Sequence, residues 1–175
     1  MKKRLAALLL LLVFASWAKD DGLVVWNEKG FPLAGTKITL NTPVSDETGT
    51  GVPEQRLQEI RQAIEDTLAA HHLLAKPSDG TPPHSLLSAQ ISVTSFKTGD
   101  AVGRWVGFGA GVAKCTLRAQ LLDPEAGVVA EIIDTRVVDS GGFYTMGADS
   151  KFHKELAVEM AEAMTRLLSG EGARK

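Results

Sequence analysis

Ala113-Lys-Cys-Thr-Leu-Arg-Ala-Gln-Leu-Leu122 alternates apolar and polar side chains until its last residue. Ala113, Cys115, Leu117, Ala119 and Leu121 share one parity; Lys114, Thr116, Arg118 and Gln120 share the other. Successive side chains of a strand point to opposite faces. This pattern therefore predicts one face on a core and one in water, as in an antiparallel sheet. Asp123-Pro-Glu-Ala-Gly127 then turns the chain into Val128–Val138, a second β-rich run, so the two runs form a hairpin.

Working outward, Leu86–Phe96 has strand character, with Ile91, Val93 and Phe96 set among serines and threonines. Lys76–Ser85, with three prolines and a glycine, is a connector. Leu57, Ile60, Ile64, Leu68, His71 and Leu74 recur at steps of three or four, one apolar stripe of an amphipathic helix. Pro53 and Glu54 suit its first turn, and Pro77 requires it to stop. Gln58, Arg61, Gln62 and Glu65 fall on the face expected to be wet. A second stripe, Phe152, Leu156, Met160, Ala163, Met164 and Leu167, predicts a closing helix capped by Asp149 or Ser150 and ended by Gly170.

Near the start, Leu23-Val-Val-Trp26 and Thr36-Lys-Ile-Thr-Leu40 flank the turn-rich Gly30–Gly35, which predicts a first hairpin. Asn41–Gly51 reads as a loop. The order is then β-β-α-β-β-β-α. This is an α+β chain: one small domain, a mostly antiparallel sheet of about five strands, and two helices on one face.

The 175 residues hold 19 Lys+Arg against 21 Asp+Glu, and 44% are hydrophobic. That balance excludes broad nucleic-acid binding and wholesale disorder. Lys2, Lys3 and Arg4 precede the apolar run Leu5–Phe14, and Ser16 and Ala18 supply small residues at alternate positions. This matches a secretory signal peptide, residues 1–18, cleaved after Ala18 to leave a single domain over 19–175 in the periplasm. The apolar stretch falls short of the roughly 20 residues that a span needs. No cysteine lies near residue 19, so no lipid anchor is evident, and Cys115 is expected to be a small buried hydrophobe.

Ser95-Phe-Lys-Thr-Gly99, then Arg104-Trp-Val-Gly-Phe-Gly-Ala-Gly111, then Leu121-Leu-Asp123 with Gly127, together resemble the bacterial family called domain of unknown function 4410, from about Leu57 to Leu168. Ser140-Gly-Gly142 before the closing helix fits as well. The resemblance implies a small exported or lipid-anchored envelope protein of α/β type, with no activity attached. The missing lipid-acceptor cysteine is a departure from it.

No catalytic motif stands out. The Gly-Phe-Gly-Ala-Gly run leads into a strand rather than a helix and lacks a Gly-Lys-Ser/Thr ending, so it is not a phosphate cradle. His71, His72, His84 and His153 lack metal-ligand spacing: neighbours on a helix diverge by about 100°. His71, on the apolar stripe, is expected to be half-buried. Asp123 reads as a turn former, with Asp134 and Asp139 in or beside the hairpin. No catalytic residue, metal or cofactor is expected.

The leading expectation is a non-catalytic envelope module that docks to another protein. Its expected docking patch is Arg104, Trp105, Gly107, Phe108, Gly109 and Gly111, since Arg and aromatic residues anchor interfaces. The alternative is a small-molecule or glycan-binding protein, or a weak hydrolase, with a pocket near Gly141 and Gly142. A third reading is a scaffold subunit whose sheet edge adds strands to a partner or to itself.

Overall fold

The computed structural model describes residues 22–75, 86–98, 113–138 and 151–170. The elements run β1 (Val24–Asn27), β2 (Lys37–Thr39), β3 (Ser45–Asp46), α1 (Glu54–Ala70), β4 (Leu86–Lys97), β5 (Ala113–Asp123), β6 (Gly127–Val138) and α2 (Phe152–Ser169). The sheet is ordered β1-β6-β5-β4-β2, and β3 also pairs with β4. The α+β reading holds, with six strands among the described residues where about five were expected.

The β5–β6 hairpin closes at Asp123 opposite Gly127. Asp123 Oδ1 accepts from the Glu125 and Ala126 amides, each at 2.9 Å, and Gly127 takes φ 78°, where a side chain would be strained. Ala113, Cys115, Leu117, Ala119 and Leu121 are fully buried, as the alternation requires. Thr116, read as a solvent-facing residue, is buried instead. Its hydroxyl lies 3.0 Å from that of Thr135, directly across the ladder, so the polar group is satisfied there.

β4 pairs antiparallel with β5, and its register shifts between Val93 and Ser95. That irregularity changes the parity, so Val93 and Phe96, three residues apart, both turn to the helices. Phe96 stacks on Phe152 of α2 with ring centroids 6.1 Å apart.

Two expectations fail at the start of the chain. β1 and β2 are not a hairpin: β1 pairs antiparallel with β6, and β2 pairs parallel with β4 at the other side of the sheet. Within the stretch read as a loop, Ser45–Asp46 forms a short parallel pairing with Ser92 and Val93. Both β2 and β3 run parallel to β4, and α1 supplies the crossover that such a connection needs.

α1 buries Leu57, Ile60, Ile64 and Leu68 and ends at Ala70. The stripe does not continue: His71 is exposed as the C-cap, His72 adopts φ 58°, and Leu74 bridges Ile38 of β2. Leu73 and Ala75 bond the Ile38 amide and carbonyl, each at 2.8 Å, so this segment covers the β2 edge. Arg61, expected on the wet face, is half-buried and donates to the Leu40 and Thr42 carbonyls at 2.9 Å.

α2 buries Phe152, Leu156, Met160, Ala163, Met164 and Leu168 in the same core as α1, and Gly170 ends it in the left-handed conformation. Its N-cap is Lys151, without a side-chain cap bond; Asp149 and Ser150 lie outside the described residues.

Candidate functional site

The six residues read from sequence as a docking patch, Arg104, Trp105, Gly107, Phe108, Gly109 and Gly111, lie between β4 and β5 outside the described residues. Gly141, Gly142, His84, Asp139 and the cleavage site at Ala18 are also outside the described residues. The histidines among the described residues do not converge. His71 Nε2 meets Glu162 at 3.2 Å, while His153 lies 2.7 Å from Glu59. No three His, Cys, Asp or Glu among the described residues come together to hold a metal ion.

Two features remain. The first is polar and buried. His153 has no solvent exposure, and its Nε2 lies 2.7 Å from Glu59 Oε2. Glu59 also accepts from Arg56 at 2.8 Å, and Lys154 Nζ is 3.5 Å away. The His153 bond, then the Arg56 bond, hold the Glu59 carboxyl down at about 2. Burial is the main force that pushes the His153 imidazole below its ordinary range, so the ring is neutral and its Nε2–H donates to Glu59. Nδ1 is then an acceptor, and it has no partner. Orphaning an acceptor rather than an N–H is the milder arrangement. Among the described residues, no hydroxyl or thiol is bonded to this imidazole. Cys115 is elsewhere in the core, its thiol pushed up to about 12 by burial and then by Asp134. The pair ties α1 to α2.

The second feature is an open edge. Thr135 donates to the Gly22 carbonyl at 3.1 Å, Glu28 donates to Val129 at 2.8 Å, and Val24 and Trp26 sit opposite Ile133 and Glu131. Hydrogen-bonded pairs alternate along an antiparallel ladder. The even-numbered residues of β1 therefore bond to β6, and Leu23, Val25 and Asn27 direct their N–H and C=O groups away from the sheet. On the other margin, Leu73–Ala75 lies along Ile38 of β2.

The same three residues turn their side chains to the helix face. Leu23, Val25 and Asn27 line a hollow of about 200 Å³ with Ala163, Arg166 and Leu167 of α2. Toward the start of β1 it continues into a cleft of about 630 Å³ that includes Val137, Val158, Glu159, Glu162 and Arg166. Arg136 crosses the cleft wall to Glu155 and Glu159, each at 2.8 Å. Toward the end of β1 the hollow meets a third one, of about 220 Å³, beside Phe31 and Leu167. The result is a groove along β1, apolar in the middle and charged at one end.

Every exposed large hydrophobic residue among the described ones lies on or beside β1, on β6 or on α2: Leu23, Val25 and Val158 line the groove, Val24 and Trp26 point to the opposite face of the sheet, and Val128 and Val137 belong to β6. β1 is exposed at all four of its residues. An unpaired edge with apolar side chains is what proteins usually hide, so its exposure marks a contact surface. The sequence contained β1 as a strand, but not its place at an edge. The four consecutive apolar residues Leu23–Trp26 lack the alternation that would separate a buried face from an open one.

The domain of unknown function (DUF4410) matches residues 30–168 of this chain. The chain belongs to that family. The matched stretch of this DUF4410 protein takes in both helices and five of the six strands; β1 precedes it. The fold is similar to a solved PelC dodecamer from Paraburkholderia phytofirmans, at 13% identity over 83% of this chain and 98% of that one, with a TM-score of 0.52. A substituted form of the same protein, also a dodecamer, gives 0.53 over the same shares at 13% identity. A DUF330 protein from Xanthomonas campestris gives 0.49 at 12% identity, over 87% and 95%. No curated protein matches the sequence. No helix among the described residues is long and apolar enough to cross a membrane.

Proposed function

We propose that this DUF4410 chain is a non-catalytic accessory module of the cell envelope, exported through its N-terminal signal, that works by docking an extended protein strand at the β1 edge. The observation that carries this reading is the double role of Leu23, Val25 and Asn27. Their backbone groups have no partner on the outer margin among the described residues, and their side chains line the groove against α2. An added strand would gain main-chain hydrogen bonds from the edge and side-chain selectivity from the groove. That a solved protein with a similar fold is a dodecamer, in two structures, supports a reading built on protein contacts.

The test is photo-crosslinking in cells with the probe at Val25, compared with the same probe in a Val25→Pro background shifted to Leu23. Proline lacks the N–H and obstructs pairing at an edge. A defined protein product at Val25 that disappears with the proline supports edge docking. A product pattern unchanged by the proline, or no product at either position, removes it.

A further inference from the structure

We infer that the strand received by the β1 edge is β1 of a second copy of this chain, related by a two-fold axis through Val25. This rests on the edge-docking reading and names its partner. The first argument is where the apolar surface lies. A head-to-tail contact joins two different patches, whereas a two-fold contact joins one patch to itself. Among the described residues the exposed large hydrophobics are confined to β1, β6 and α2, and the side formed by α1 and β2 has none. The apolar groove therefore has its own kind as its complement.

Register follows from the edge. Only odd-numbered residues of β1 present outward hydrogen-bonding groups, so antiparallel self-pairing must set odd against odd. Centring on Val25 keeps all three in use: Val25 faces the partner's Val25, and Leu23 faces the partner's Asn27. Shifting the axis to Trp26 would set Leu23 beyond the end of the strand, which stops at Asn27.

Charge agrees independently. Glu162 and Arg166 are four apart on α2, a spacing that allows an intrahelical ion pair. Instead, Glu162 bonds His71, and Arg166 has no ion pair among the described residues, although both line the cleft beside Leu23. Arg166 and Ala163 flank Val25 in the groove. A two-fold axis through Val25 lays α2 beside its own reverse. Glu162 then meets the partner's Arg166, and the exchange occurs twice. Three odd-numbered edge residues supply the hydrogen bonds, and a doubled charge pair supplies orientation.

The experiment uses the full purified chain. Hydrogen-bonded antiparallel partners lie about 5.5 Å apart at Cα, within disulfide reach. Val25→Cys should give a covalent dimer under mild oxidation. Asn27→Cys alone should not, and a mixture of Leu23→Cys and Asn27→Cys chains should link to each other. The buried Cys115 does not compete. Sedimentation equilibrium should show dimers weakened about tenfold by Glu162→Arg or by Arg166→Glu, and restored when both are present. Equal linking by Val25→Cys and Asn27→Cys, or no rescue by the double exchange, overturns the two-fold register. If the chain is monomeric at every concentration while the Val25 probe captures a different protein, the second-copy inference fails and edge docking stands. If the chain is monomeric and the Val25 probe captures no protein, both fail.

Discussion

His153 Nε2 and Glu59 Oε2 are 2.7 Å apart, joining residues from opposite ends of the chain in a bond that one helix offers to the other beneath the surface. The imidazole is fully buried, and the carboxylate is also held by Arg56. Replacing Glu59 by Ala leaves both ring nitrogens of His153 without partners, a loss of about 1–3 kcal/mol. His153→Leu removes the polar group as well and should cost less. Chemical denaturation of the three proteins checks the order; equal losses would show that burial of the ring, rather than its bond, is what matters.

The same pair sets a pH dependence. The folded state holds His153 below its ordinary value of about 6.5, so the unfolded chain takes up the proton first. Stability contributed by the neutral ring is complete above that value and is lost as the pH falls below it. Glu59, lowered from 4.5 to about 2, adds a second loss between those values. Both act in one direction, so stability should decline steadily on acidification below about pH 6.5. In His153→Leu the upper part of that decline should be absent. Thermal melts from pH 8 to pH 4 test this.

Cys115 should be unreactive in the native protein. Its thiol is fully buried and pushed up to about 12, while the thiolate is the reactive form. A thiol-specific reagent at pH 8 should label it only on unfolding, at a rate that tracks global opening. Rapid labelling of the folded chain would contradict its place between α2 and the sheet.

Gly22 starts the pairing with β6, and a Cβ there would meet Thr135, at 2.7 Å from its Cβ and closer still to its carbonyl oxygen. Both are backbone or near-backbone atoms that cannot swing aside. Gly22→Ala should therefore release the start of β1 while leaving β5 and β6 paired. Hydrogen exchange should quicken at Val24 and Trp26 more than at Leu117 or Ala119, and the Val25 crosslink should weaken with it.

How far the sequence could be read depended on how local the cause was. The β5–β6 hairpin was legible because the alternation from Ala113 to Leu121 and the Asp123–Gly127 turn act within a few residues of each other. The stripe Leu57–Leu68 was legible for the same reason, and its end was not. Leu74 keeps the helical spacing yet bridges Ile38, a contact set by the sheet and not by its neighbours. Leu23–Trp26 and Thr36–Leu40 looked like a hairpin because they are near in sequence, while their actual partners are Ile133 and Leu86, some 110 and 50 residues further on. The Glu59–His153 bond had no signal, since each residue alone looks like a surface polar group on a helix. The candidate patch at Arg104–Gly111 came from composition alone; the groove came from the ladder alternation that leaves Leu23, Val25 and Asn27 facing outward.

Leu73–Ala75 lies along Ile38 and uses its amide and carbonyl. Over β2 the sheet margin is closed by the chain itself, whereas the β1 margin carries no such cover among the described residues. A second β1 laid antiparallel on the first consumes both open edges at once, so self-pairing there closes as a pair and leaves neither β1 margin to recruit a third copy.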